Sequence, residues 1–157
     1  MRISERVDNA VRAMAELAVG GDEATKAEQI SQRQQISLKY LHDILRDLKR
    51  AGLVRSRRGP DGGFNLSRPA SAISLADIFR AVDGPLADVH DESLRSLAYA
   101  APAEALPEVW MAIRGSLRRV LETVSVADLV AHTLPQEVTG LAEEYRRSTE
   151  ERFGTGR

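Results

Sequence analysis

The chain has 157 residues, no cysteine, 29% charged and 4% aromatic residues, and a formal net charge of −1. This length suffices for a domain with its own core, and the charged, aromatic-poor composition is typical of a mostly helical protein. The lack of cysteine excludes disulfides and thiolate chemistry, and no segment approaches the roughly 20 apolar residues of a membrane span. Charges also interrupt the N-terminal apolar pattern that a secretory signal needs, so we expect a cytoplasmic protein with no membrane partner.

The first two predicted helices lie within the first 35 residues. Apolar residues at three- and four-residue steps predict a helix over residues 4–19, which Gly20-Gly21 ends. Thr25 and Glu28 have the spacing of a capping box, in which each side chain caps the other residue's backbone. They predict a short second helix that ends near Gln35.

A third helix is predicted from Ser37, a good N-cap, to Gly52, a left-handed C-cap. Ile36 and Leu41 are spaced as a hydrophobic staple across its start. The predicted buried stripe consists of four leucines: Leu38, Leu41, Leu45 and Leu48. Two helices joined by a very short turn, with positive charge on the second, indicate a helix-turn-helix.

A β-hairpin is predicted directly after this basic helix. Residues 53–57 alternate like a strand, residues 58–63 (RGPDGG) are strong turn formers, and residues 64–66 alternate like a returning strand. A hairpin with a basic tip in this position is typical of the wing of a winged helix. The fold class we expect is mainly α with a small β-hairpin wing.

The second half of the chain is predicted to hold three more helices after a fourth that starts near Ser74. Residues 85–106 are predicted to form a loop, and Pro107 suits the first turn of a long helix. Because an apolar stripe this long on a small domain usually contacts a partner, we expect this helix to form a dimer interface. The predicted interface residues are Trp110, Ile113, Leu117, Val120, Leu121 and Val124. The alternative, that the stripe packs within its own chain, stays open here.

A short helix is predicted from Ser125 through His132. A last, highly charged helix is predicted over residues 137–152. The expected domain organisation is a winged helix-turn-helix domain over residues 1–84, a loop over 85–106, and a dimerisation helix with C-terminal helices over 107–157.

Positive charge is concentrated in one stretch of the chain. From Arg33 to Arg58 there are eight basic and two acidic residues, a net charge of +6, which leaves −7 for the rest. Phosphate binding depends on local charge, so this patch is compatible with DNA binding despite the overall charge. A solvated helix face beside a basic turn would give the same count.

An ordered series of motifs runs through this region: ISLKYL at residues 36–41, AGLV at 51–54, and RGPDGGFNL at 58–66. The series resembles the Rrf family of bacterial winged helix-turn-helix regulators, which includes IscR-, NsrR- and CymR-like proteins. The resemblance runs from Met1 to about Val130. It implies a homodimer that binds double-stranded DNA at a palindromic operator and regulates transcription, with repression expected and activation as the alternative. An enzyme is not expected, because the sequence has no nucleophile–base pair, metal motif or cofactor fingerprint.

The start of the third helix would face base edges in the major groove. Lys39 can donate to guanine, Tyr40 can donate to a phosphate while its ring packs on the domain, and His42 can donate to guanine or phosphate. The family commonly has glutamate at the position of His42, so we expect an operator that differs from that of IscR-like proteins. The alternative is that His42 is a solvated helix residue without a base contact. By position, the candidates on this helix are Ser37, Lys39, Tyr40, His42, Asp43 and Arg46.

In the wing, Arg55, Arg57 and Arg58 are the candidate cations, and the resemblance implies that Arg58 enters the minor groove. Narrow, A·T-rich minor grooves attract arginine through their negative potential. Gly59, Gly62 and Gly63 would let the turn approach phosphates without side-chain obstruction. The alternative for these three is a plain hairpin turn.

No iron–sulfur cofactor is expected. The family's cluster-binding members carry cysteines before the long helix, and others use Glu and His in the first helix, where this chain has Asp8 and Arg12. His90 and the acids within residues 88–92 have the chemistry of a divalent-metal site, with a solvated acidic loop as the alternative. We therefore expect a regulator tuned by a small ligand or a protein partner. The alternatives are a winged-helix protein-interaction module and a metal sensor without cysteine.

Overall fold

The computed structural model describes residues 3–85 and 98–153. It is mainly α-helical with a single antiparallel hairpin in the described residues, which confirms the predicted fold class. The elements are α1 (Glu5–Gly20), α2 (Ala27–Gln34), α3 (Leu38–Arg50), β1 (Val54–Arg57), β2 (Gly63–Leu66), α4 (Leu75–Asp83), α5 (Leu106–Thr123), α6 (Val126–Val130) and α7 (Gln136–Phe153). No helix in these ranges combines the length and apolar character needed to cross a bilayer.

Helices α1, α2, α3 and α4 share one hydrophobic core, and Val126 of α6 also packs in it. Its largest buried side chains include Met14, Leu17, Ile30, Leu41, Ile44, Leu45, Leu48, Ile73, Ile78 and Val126. The predicted stripe of α3 is wrong at Leu38, which is exposed, while Ile44 is fully buried. Leu38 lies in the first turn at the edge of the apolar face, whereas Ile44 lies within that face.

Both predicted ends of α3 are present. The Ser37 hydroxyl accepts from the Tyr40 N–H (3.4 Å), and the residues flanking this cap, Ile36 and Leu41, are both buried. At the other end Gly52 has a positive φ of 75°, and its N–H donates to the Lys49 carbonyl (3.0 Å). The next N–H, that of Leu53, donates to Leu48 (2.9 Å), which completes a Schellman motif.

The predicted capping box at Thr25 is wrong, because α2 begins two residues later. The Thr25 backbone instead pairs with Phe64 in β2, each N–H donating to the other's carbonyl at 2.9 Å. At the start of α2, Gln29 Oε1 accepts from the Lys26 N–H (3.1 Å). Thr25 therefore extends the hairpin sheet by a short third segment.

The hairpin β1–β2 has the register Val54↔Leu66 through Arg57↔Gly63. Val54 and Asn65 are buried, while Arg55, Ser56 and Arg57 are exposed. Val54 and Leu66 face the core on one side of the sheet, whereas Asn65 lies opposite Arg55 on the other side, and the basic residues of β1 are in solvent.

The junction between the N-terminal region and the long helix is a pair of adjacent helix starts. Ser74 caps α4 and Ser125 caps α6, each in a reciprocal capping box with the aspartate three residues later. The flanking backbones pair: the Leu75 N–H donates to the Val124 carbonyl, and the Val126 N–H donates to the Ile73 carbonyl, both at 2.9 Å. Helix α5 ends at this junction and has no buried residue along its length.

Candidate nucleic-acid interface

The exposed face of α3 carries a row of cationic and polar side chains opposite the core. Lys39, His42, Arg46 and Lys49 follow one another at steps of three and four residues, and all are exposed. Arg46 pairs with Asp43 at 2.9 Å. Lys39 forms no ion pair within the described residues, so its ammonium group is available to an external acceptor.

Tyr40 is held between α3 and α1. Its half-buried ring packs against the core, and the Arg6 guanidinium lies 6.0 Å from the ring centroid. Arg6 also pairs with Asp47 on α3. These contacts hold both the start and the later part of α3 against α1, and they fit the expectation that the Tyr40 ring packs on the domain.

Two side-chain contacts join α3 to the wing. The ring of His42 lies 6.4 Å from that of Phe64, centroid to centroid, at 57°. The Lys49 ammonium donates to the Ser56 hydroxyl at 2.6 Å. Lys49 was missing from the predicted site, although its place on the same helix face as Lys39 and Arg46 was a signal that could have found it.

A groove of about 300 Å³ runs between the start of α2, the middle of α3 and the wing. Its lining includes Lys26, His42, Arg57 and Gly59. Arg55 lies elsewhere, in a depression shared with Leu17 and other residues near the end of α1. The structure therefore brings His42 and Arg57 together and separates Arg55 from them.

The wing's glycines have structural reasons of their own. A Cβ atom at position 63 would lie 2.6 Å from the Thr25 carbonyl oxygen, and one at position 62 would lie 2.5 Å from that of Arg57. Gly59 instead faces open space with a φ of 104°. Gly62 and Gly63 are thus needed for the hairpin to close and pair with Thr25, and the approach of this turn to phosphates stays a prediction.

Asn65 anchors the wing and was not predicted. Its buried amide donates to the Glu23 carbonyl (2.9 Å) and the Gly21 carbonyl (3.3 Å) in the α1–α2 turn. Asn65 alternates with the core-facing Phe64 and Leu66, so the strand pattern places it on the outer side, and its acceptors lie more than 40 residues away in the chain. With Thr25, it sets where Arg57 and Arg58 stand relative to α3.

The described residues do not fit an iron–sulfur cluster. The chain has no thiolate, and Asp8 and Arg12 pair with each other at 3.5 Å. Arg12 also donates to Asn9 (2.9 Å) and to Gln34 at the end of α2 (3.0 Å). Among residues 3–85 and 98–153 no three His, Asp or Glu side chains group as a metal site, and His90 and its acidic neighbours lie outside the described residues.

The predicted dimer-interface residues occupy different environments in α5. Ile113 is 44% exposed, and Trp110, Leu117, Val120 and Leu121 are partly exposed. Val124, just after the helix, is only 3% exposed within its own chain. The Trp110 indole N–H is buried and has no acceptor within the described residues.

An ion-pair cluster links α4 to α5. Arg80 contacts Glu122 at 2.5 Å and Arg118 contacts it at 2.9 Å. The hydrogen bond from Arg80, followed by that from Arg118, lowers the pKa of Glu122. In α6, the hydrogen bonds from Ser125 lower the pKa of Asp128.

The chain is similar to proteins of one family. A family model described as Rrf2, iron-dependent transcriptional regulator, matches residues 3–132. A Mycobacterium tuberculosis protein provisionally named an HTH-type transcriptional regulator is 43% identical over 158 residues, covering 100% of this chain and 98% of the relative.

Two solved structures share the architecture. CymR of Bacillus subtilis, titled a global cysteine regulator, is 34% identical with a TM-score of 0.72 and covers 85% of this chain and 98% of its own. IscR of T. potens is 29% identical with a TM-score of 0.68, covering 84% of this chain and 88% of its own.

Proposed function

The chain belongs to the Rrf2 family of transcriptional regulators, and from this premise we propose that it binds a palindromic DNA operator as a homodimer and represses transcription. It is a regulator with a DNA-binding fold, not an enzyme. A role on bacterial DNA would place it in the cytoplasm. The observation that carries the proposal is that His42 of α3 and Arg57 of the wing line one groove, beside the exposed α3 face that carries Lys39, Arg46 and Lys49.

The exposed face of α3 would enter the major groove. Lys39, unpaired within the described residues, would donate to guanine acceptors, with Ser37 beside it. His42, held against Phe64, would donate to guanine or phosphate from a fixed ring position. Arg46, paired with Asp43, would contact the DNA backbone.

The wing would follow the adjacent backbone and minor groove. Arg57 and Arg58 are exposed and form no ion pair in the described part of the chain. Because Gly59 has open space around it, the tip is able to come close to a phosphate without obstruction. We place Arg58 in the minor groove, where negative potential favours a guanidinium.

The homodimer would form through α5. Eighteen residues long and with no buried residue, this helix exposes Val109, Met111 and Ile113. The other residues of the predicted stripe within the helix are partly exposed: Trp110, Leu117, Val120 and Leu121. Covering such a surface with a second copy gives the two-fold symmetry that a palindrome requires. The thiolate-free chain would be tuned by a small ligand or a protein partner instead of an iron–sulfur cluster.

The test is binding of the purified protein to the DNA upstream of its own gene, followed by fluorescence anisotropy across a salt series. We expect specific, salt-dependent binding, because each phosphate contact releases counterions. Arg58→Ala should weaken binding by about 10- to 100-fold. Lys39→Ala should reduce the preference for the operator over a scrambled duplex.

Arg147→Ala in α7 is the matched control, since it removes the same charge as Arg58→Ala at an exposed site remote from the groove. Equal losses for the two variants would mean that net charge and not the wing drives binding. Protein capture that ignores DNA and survives high salt would support the interaction-module alternative. Specific binding that appears only with a divalent metal added would support the metal-sensor alternative.

A further inference from the structure

Helix α7 lies beyond the part of the chain that the family model matches. The family model ends at residue 132, and CymR is covered almost completely by 85% of this chain. The Mycobacterium tuberculosis relative, in contrast, matches over the full length. Helix α7, which spans Gln136–Phe153, therefore lies outside the family model's match and needs its own explanation.

The apolar residues of α7 form one unpartnered face. Val138, Leu141, Ala142 and Tyr145 are spaced i, i+3, i+4 and i+7, which places them on one side of a helix. Leu141 is 42% exposed and Tyr145 is 72% exposed. Because an isolated helix of this length is marginal in water, an apolar face left open indicates a missing contact.

The start of α7 is tied to α5. Glu137 pairs with Arg119 at 2.7 Å, and beyond this point α7 packs extensively on none of the described elements. Helix α5 has its own exposed apolar side chains at Val109 and Ile113. The end of α5 and the start of α7 are therefore close together, but the apolar faces of the two helices do not cover each other.

The charges of the two helices are complementary. Helix α7 carries five glutamates and three arginines, a net charge of −2, whereas α5 carries three arginines and two glutamates, a net charge of +1. Net charges of opposite sign favour the association of α7 with α5 over the pairing of two α7 helices.

We propose that α7 of one protomer docks on α5 of a second copy of this chain, so that the C-terminal helices clasp the dimer. The inference rests on the proposed homodimer. In this arrangement the second copy covers the exposed α5 surface with its α7. A two-fold dimer presents both faces twice, so no third component is needed.

The first experiment measures dimer dissociation by sedimentation equilibrium. The double variant Leu141→Ala/Tyr145→Ala should raise the dissociation constant by about tenfold or more, because large apolar anchors dominate interface energies. The control is Glu143→Ala/Arg147→Ala on the opposite face of α7, which changes neither the net charge nor the apolar stripe. It should leave the constant within about twofold, and alanine keeps the helix propensity in both variants high.

The second experiment identifies the surface that α7 touches. The chain has no cysteine, so Tyr145→Cys accepts a single photo-crosslinker, and mixing it with isotope-labelled protein marks the partner. We expect crosslinks between labelled and unlabelled chains, within residues 106–123. Crosslinks confined to one chain, or to another part of the partner, would overturn the proposal.

The outcomes separate the inference from the proposed function. If the double variant dimerises and binds the operator like the unmodified chain, the clasp is wrong and the DNA-binding dimer stands. If the unmodified chain is monomeric at every concentration and still binds DNA, both the clasp and the proposed homodimer are wrong.

Discussion

The N-terminal region (residues 3–85) and the helices α5 and α7 use apolar side chains in opposite ways. In the first, α1, α3 and α4 bury a continuous core in which Ile44 and Leu48 are inaccessible to solvent. In α5 no residue is buried, and α7 leaves Tyr145 largely exposed. The proposed DNA-binding surface is therefore built on a core that the described residues of one chain fill, with Val126 of α6 included, while α5 and α7 expose apolar side chains that no described residue covers.

The same difference holds for polar groups. The Asn65 amide is buried with two backbone acceptors, whereas the buried Trp110 N–H has none within the described residues. A buried donor without an acceptor costs free energy. The contrast agrees with the proposed homodimer, in which a second copy would complete the surroundings of α5.

The largest expected effect is the difference in stability loss between two isoleucine truncations, one in each region. Ile44 is 0% exposed and Ile113 is 44% exposed, so Ile44→Ala should reduce the free energy of unfolding by about 2–5 kcal/mol. Ile113→Ala should cost under about 0.5 kcal/mol at protein concentrations where the chain is monomeric. Urea denaturation of both variants at low and high protein concentration measures the two costs.

At high concentration the loss from Ile113→Ala should grow, because dimerisation adds to apparent stability by mass action. A concentration-independent loss of several kcal/mol would show that α5 packs within its own chain, which would remove the contrast between the regions.

The next effect concerns the two buried donors. Asn65→Leu leaves the carbonyls of Gly21 and Glu23 unpaired and should cost about 1–3 kcal/mol. Trp110→Phe removes a donor that has no acceptor in the described residues and should cost less. Thermal unfolding monitored by circular dichroism compares them, since Trp110 is the chain's single tryptophan and fluorescence would be lost. Equal costs would mean that the Trp110 N–H has an acceptor.

How much of this was visible in the sequence depends on the range of the interaction. The cap at Ser37, the closure at Gly52 and the hairpin turn follow from residues within a few positions of one another, and all are present. The helix starts at Ser74 and Ser125 also follow from local patterns. Local chemistry was sufficient for the helices, the wing and the order of elements.

The contacts that aim the wing could not be predicted in this way. Thr25 was expected to cap α2, but pairing with Phe64, 39 positions later, determines its place. The bond from Lys49 to Ser56 likewise depends on how the wing folds back on α3. For α5 the apolar stripe was visible, but which of its residues the chain itself would cover, as it covers Val124, depended on the junction with α4.

That junction gives a third, smaller effect. Ser74 belongs to the N-terminal region and Ser125 follows α5, yet they cap adjacent helix starts. Ser74→Ala and Ser125→Ala should each cost about 1 kcal/mol in urea denaturation. Because the two caps adjoin, the double variant should depart from additivity by at least about 0.5 kcal/mol. Strict additivity would mean that the two regions are energetically independent at this point.

The smallest effect is electrostatic and lies across the same junction. Arg80 of α4 and Arg118 of α5 lower the pKa of Glu122. The ionised Glu122 therefore stabilises the folded state above the pKa that this carboxyl has in the unfolded chain, and this contribution is lost as pH falls through the lower folded-state pKa. Glu122→Gln should therefore lower the melting temperature slightly at pH 7 and have no effect well below about pH 4. Because these ion pairs are exposed, high salt should reduce the difference in melting temperature at pH 7.

The control Glu144→Gln removes an acid of α7 that forms no ion pair in the described residues, and it should show no such pH dependence. An equal response in both variants would mean that the acid-dependent stability belongs to the whole charged surface and that the Arg80–Glu122 contact does not couple the two regions.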